Sequence, residues 1–134
     1  MADGVTVTVR NKDKLARKLR QLAPEALKAL TIANEETADE MVATAQRYVP
    51  VRTGTLRNSI HTEPGPSDTG AVRVVAGGAP TTKGGYDYAL GVEFGTSDTT
   101  AEPYFFPSYR LGKRSHKRRV TRAMKASSQK VAKS

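Results

Sequence analysis

The sequence predicts an α+β fold, an antiparallel β-meander packed by a long N-terminal helix and closed by a C-terminal helix. Three observations carry that prediction. From Glu25 to Tyr48 the chain is rich in Ala, Glu and Leu, with Leu27, Leu30, Ala38, Met41, Ala45 and Tyr48 close to helical spacing. The middle of the chain breaks into short alternating apolar runs separated by Gly- and Pro-rich turns. A last stretch from Ser108 to Lys130 again reads as helix, with Tyr109, Val120, Met124 and Val131 as its few apolar points. Strand runs kept apart from helices favour α+β over a βαβ alternation.

The elements follow in order. Val5-Thr6-Val7-Thr8-Val9 alternates β-branched apolar and hydroxyl residues, the pattern of a short half-buried strand. Asn11 can cap the helix that follows, with Asp13 in its first turn and Leu15, Leu19 and Leu22 on one face. Pro24 either starts a second helix or kinks one long one, because proline suits a first turn but removes a donor inside a helix. Pro50 ends this helical stretch. Leu56 to Thr62 reads as a strand, Pro64 to Gly70 as a turn or longer loop, and Ala71 to Ala76 as a second strand with Val72 and Val74 on one face and Arg73 on the other. Residues 77–87 read as a flexible loop and Tyr88 to Phe94 as a third strand. The expected organisation is one α+β domain over residues 1–111, with residues 112–134 as its basic helical extension.

Composition narrows the function. With 134 residues the chain can bury one real core. No run of about 18 apolar residues predicts a membrane helix, and Met1-Ala2-Asp3-Gly4 does not open a signal peptide. Cysteine is absent, which excludes disulfides and thiolate metal sites and fits assembly in a reducing cytoplasm. The net charge of +9 is uneven: residues 110–134 carry ten Lys or Arg and no acid. So basic a segment, with so thin an apolar stripe, is expected to fray from about residue 112 in the free protein and to order against an acidic surface or near DNA.

Nothing in the chain assembles a catalytic set. His61 and His116 stand far apart, and Glu35, Glu36, Asp39 and Glu40 read as a solvated helix face. Gly77-Gly78 and Gly84-Gly85 lack the Lys-Ser/Thr that a phosphate loop needs. No nucleophile has a nearby base. The sequence therefore predicts neither an enzyme nor a metal or cofactor site.

Two stretches carry more information. In Val49-Pro50-Val51-Arg52-Thr53-Gly54-Thr55-Leu56-Arg57-Asn58-Ser59-Ile60 a helix stop meets a tight connection, in which Gly54 can take positive φ and Thr53 and Thr55 can bond local amides. Tyr88-Ala89-Leu90-Gly91-Val92-Glu93-Phe94-Gly95-Thr96 ends at a Gly turn and is followed by Ala101-Glu102-Pro103-Tyr104-Phe105-Phe106-Pro107, an aromatic cluster between prolines. Together they resemble the small tail-completion, or neck, family of siphophage-type tailed phages and prophages. That family carries Val-Pro-x-x-Thr-Gly-x-Leu-x-x-Ser-Ile, then Tyr-Ala-x-x-Val-Glu-x-Gly-Thr, then x-Pro-Phe-x-x-Pro before a closing helix. The third motif departs mildly, with Tyr104 where Phe is frequent and Ser108 where Ala is.

The resemblance implies a structural virion protein of the head–tail junction, a neck, tail-completion or tail-terminator component without catalysis or cofactor. It implies a ring, six-fold like the tail tube, that joins connector or stopper proteins to tail-tube or terminator proteins, with no membrane partner. The expected location is the virion tail or neck, after assembly in the host cytoplasm. The residues expected to shape fold and interface are Pro50, Thr53, Gly54, Leu56, Ser59, Ile60, Tyr88, Glu93, Gly95, Thr96, Pro103, Phe105 and Pro107. Glu93, set between apolar neighbours, is expected to pair with Arg52 or Arg57, within the subunit or across an interface. A competing reading is non-specific binding of nucleic acid, packaged DNA included, through Lys113, Arg114, Lys117, Arg118, Arg119, Arg122 and Lys125. No aromatic side chain is interleaved with these cations to stack on bases.

Overall fold

A computed structural model describes residues 10–66 and 68–134; the strand expected at Val5–Val9 lies outside them. Helix α1 spans Lys12–Tyr48. Asn11 stands at its N-cap in a left-handed conformation (φ 61°), without a side-chain capping bond. Pro24 neither breaks the helix nor starts another: α1 runs through it for 37 residues. An interior proline costs helix stability, and contacts to the end of α4 flank it on both sides. Lys18 Nζ donates to the carbonyl of Ala132 (2.6 Å) and Ser134 Oγ to Gln21 Oε1 (3.2 Å), while Lys130 pairs with Glu25 (3.0 Å).

Beyond Pro50, Gly54 takes φ 84° and opens α2, a short helix over Thr55–Ser59 where a strand was expected. Leu56 and Ile60, both buried, are four residues apart, a separation that puts side chains on one face of a helix and of a strand alike. Strands β1 (His61–Pro64) and β2 (Val72–Val75) pair antiparallel, with Thr62 opposite Val74. A 3₁₀ turn (Ala79–Thr81) leads into β3 (Thr82–Lys83) and β4 (Tyr86–Asp87), a second small antiparallel pair closed by Gly84 and Gly85 at positive φ. Residues 77–87, expected as a flexible loop, thus carry their own structure.

Helix α3, Tyr88–Phe94, replaces the third strand. Its burial still alternates, at Ala89, Gly91 and Glu93, which is why the pattern reads as extended. The α+β class holds, but two separate two-stranded sheets stand in place of one meander. The core gathers Ala45, Val49, Leu56, Ile60, Ala89 and Tyr104 where the C-terminal end of α1 meets α2, α3 and the start of α4.

Helix α4, Phe105–Lys133, runs unbroken across residue 112 and lies antiparallel to α1. Glu25 meets Ser127 and Lys130, Thr37 meets His116 and Arg119, and Gly112 faces Met41. The segment expected to fray from residue 112 is packed instead. Its buried seam is mostly small, Ser108, Gly112 and Ser127 with Val131 as the one larger residue, against Ala33, Thr37 and Ala38, so the backbones can approach without a broad apolar stripe. Charge adds to this: Arg119 reaches Glu40 (2.5 Å) and Glu36 (3.8 Å), so two of the four acids expected to be solvated face α4. All four acids are exposed, as that reading had them; Glu36 and Glu40 add the ion pairs to Arg119, while Glu35 and Asp39 lie outside the ion pairs seen among the described residues.

A Cβ at Gly112 would already lie 3.4 Å from Met41 Cγ. Replacing Gly112 with Leu should therefore wedge the helices apart and cost about 1–3 kcal/mol of stability. Thermal melting reads the effect, and an unchanged midpoint would mean that α4 is not packed on this seam.

Candidate functional site

A 29-residue helix begins with backbone N–H groups that have no partner inside it, and Tyr104, at the N-cap of α4, offers no side-chain cap. Glu93 fills that role from α3. One of its oxygens accepts from the backbone N–H of Tyr104 (2.8 Å) and Phe105 (2.9 Å), and the other from Phe106 (3.0 Å). Glu93 is 5% exposed, and its charge faces the positive end of the helix dipole. Within the subunit, the pairing expected with Arg52 or Arg57 is therefore corrected: both arginines are exposed, and neither is among the ion pairs of the described residues. Three aligned amides satisfy a buried carboxylate without the cost of burying a cation as well.

The neighbouring groups are fitted just as closely. Tyr104, 1% exposed, donates from its hydroxyl to the carbonyl of Ala89 (3.2 Å). Burial, together with the Glu93 and Asp87 carboxylates, pushes this phenol up to about 12. Ser108, the other departure from the third motif, donates to the carbonyl of Phe105. Asp87 caps α3 through the amide of Ala89 (3.0 Å) and also accepts from the Gly78 amide (2.7 Å) and the Thr81 hydroxyl. Burial works against its charge, but these bonds outweigh burial and hold the carboxyl below its usual range. Ser59 Oγ donates to Leu56 and accepts from the Gly77 amide, tying α2 to the 77–87 segment.

The first two motifs face each other across a cleft of about 800 Å³. Pro50, Thr53, Gly54 and Leu56 of the first motif and Tyr88 and Thr96 of the second line it, together with the exposed Arg52, Lys83, Asp98 and Glu102. Ser59 and Ile60 turn into the core. Gly95, at φ 80°, ends α3 where a Cβ would meet the Ala101 amide at 2.9 Å. Phe105 and Pro107, both half-buried, sit in the first turn of α4, and exposed Pro103 leads into it.

Beside the cleft lies an exposed apolar ridge. Leu90 and Phe94, one turn apart on α3, are 60% and 64% exposed, and the Phe94 ring packs on Phe106 with centroids 5.9 Å apart. Of the seven cations expected to meet DNA or an acidic partner, Arg119 is half-buried on α1. Lys113, Arg114, Lys117, Arg118, Arg122 and Lys125 are exposed and in no ion pair among the described residues.

Both histidines have structural contacts. His116 meets Thr37 (2.8 Å). His61 is held by the Ser59 carbonyl and by Glu63, which together raise its pKa above the ordinary value. No cluster of three His, Asp or Glu able to hold a metal exists among the described residues. Sequence reasoning missed Asp87 and Thr81. An Asp directly before Tyr88-Ala89-Leu90 is the available signal for an N-cap.

Residues 13–95, more than half of the chain, match the family model described as "Bacteriophage HK97-gp10, putative tail-component". The chain belongs to the HK97-gp10-like family. The match takes in the first motif and the second as far as Gly95. No curated protein and no solved structure matches the chain.

Replacing Glu93 with Gln turns one acceptor oxygen into a donor facing a backbone N–H. The expected cost is about 1–3 kcal/mol, read by denaturant unfolding. Wild-type stability in this variant would mean that the cap contributes nothing.

Proposed function

We propose that this chain is a structural, non-enzymatic subunit of the phage head–tail junction, a neck, tail-completion or tail-terminator component. It forms a six-fold ring between the head connector or stopper and the tail-tube or terminator proteins, assembles in the host cytoplasm and ends in the virion. The observation that carries this reading is the division of labour around the motifs in a chain of a phage tail-component family. Glu93, Ser59 and Asp87 spend their polar atoms inside the fold, which leaves Leu90, Phe94 and Phe106 outside as a rigid apolar ridge. Exposed apolar surface on a stiff scaffold suits subunit contact.

Replacing Phe94 with Asp removes its contact with Phe106 and should cost about 0.5–1.5 kcal/mol, leaving the fold intact but the particles with unjoined heads and tails. Electron microscopy of virions should show a ring of copies at the junction. A lone copy bound at one point of the particle, or normal joining by the Phe94→Asp variant, would overturn the reading.

The outward row on α4 favours a second, compatible property: contact with DNA phosphates without sequence preference. With six exposed cations, duplex affinity should fall by roughly 10³-fold between 50 and 200 mM salt. Fluorescence anisotropy across that range reads it, and salt-independent binding would rule it out.

A further inference from the structure

β2 has a partner on one edge only. It bonds to β1, and among the described residues its other edge meets no strand. That open edge borders a groove of about 500 Å³ between β2 and α4, floored by α1. Its apolar lining is Val72 and Val74 on the strand side and Phe105, Phe106 and Tyr109 on the helix side, over Ala38 and Met41, with Asn34, Thr37, Lys113 and His116 as its polar members. Phe106 and Tyr109 are about half exposed there. Such an edge is a template for one more strand.

The chain contains a segment of matching pattern and length. Val5-Thr6-Val7-Thr8-Val9 sets three valines on one side and two threonines on the other. Extended, it covers about 13 Å. The groove floor from Asn34 to Met41 is about 11 Å of helix. Valines turned inward would cover the groove, and threonines turned outward would meet water.

A chain cannot serve its own groove. From Lys12 to Asn34, the near end of the floor, α1 rises about 33 Å. Residues 5–11, even fully extended, span about 25 Å at most. The segment and the groove therefore lie too far apart within one subunit, while a neighbour can bring them together.

We propose that Val5–Val9 of one copy adds as a third strand to β2 of the next copy and closes the groove between β2 and α4. The proposal rests on the ring reading above and deepens it by naming the contact. Donor and acceptor are different surfaces, the segment before the start of α1 and the groove on its C-terminal half, so each copy gives one strand and receives one. A heterologous contact of this kind closes into a ring when its rotation closes.

The chain has no cysteine, so a designed disulfide reports cleanly. In the full-length Val7→Cys/Val74→Cys variant, oxidation should produce a ladder of covalent dimers, trimers and larger species, both in concentrated free protein and in purified virions. Val7→Cys or Val74→Cys alone should stop at dimers. Val7→Asp should keep the wild-type melting temperature yet lower the apparent mass in light scattering and at least halve the number of joined particles. If neither free protein nor virions give a ladder, or if Val7→Asp assembles normally, strand addition is wrong. The ring reading is judged separately, by imaging wild-type virions: a ring without a ladder overturns only the strand, and no ring overturns the reading beneath it.

Discussion

One carboxylate, from Glu93, sits under the start of a 29-residue helix and accepts from three of its backbone amides. The bond runs from the middle of the chain to its last element, so α3 and α4 cannot be placed independently. Through Tyr104, whose hydroxyl returns to the Ala89 carbonyl, the same contact fixes the depth of the core, and through Phe106 it sets the exposed ring against Phe94. A buried carboxylate with both oxygens engaged is held firmly, because loosening any one bond leaves a charge less compensated in a poorly solvated place. The ridge on the outside therefore owes its firmness to a polar group on the inside.

The second organising feature is the seam between α1 and α4. Both helices are poor in large apolar residues where they touch, and they meet through Ala, Ser, Thr and Gly. Close backbone approach provides dispersion contacts, and bridges such as Arg119 to Glu40 and Lys130 to Glu25 align the pair. This changes the meaning of the basic C-terminus. Its inward charge is answered by acids of α1, and its outward charge is displayed on a helix already fixed in place. A partner meeting those cations finds a preformed row, with less ordering entropy to lose than a folding tail would have.

The motif corner shows how a short irregular segment holds a position. Gly54 starts α2 in a left-handed turn, Ser59 bonds both its own helix and the Gly77 amide, and Asp87 gathers Gly78, Thr81 and Ala89. Each polar side chain replaces a missing stretch of regular backbone bonding. Loops anchored in this way can hold a mixed cleft of Arg52, Lys83, Asp98 and Glu102 in one shape.

The α+β class, the long first helix and the stop at Pro50 were legible in the sequence, because helical spacing and proline act locally. The motifs were legible too, since positive φ at Gly54 and Gly95 leaves a residue-level mark. Helices α2 and α3 were not, because Leu56 with Ile60, and Ala89 with Gly91 and Glu93, sit at even separations that strands share. Nor did composition disclose the acceptor role of Glu93, whose partners lie 11 to 13 residues further on, or the docking of α4, whose hydrogen-bonded partners on α1 include residues 79 and 114 positions away. Periodicity reports which face of a segment is apolar. Only the tertiary structure decides what that face meets, because small-residue seams and buried caps depend on approach distances that arise when distant elements pack.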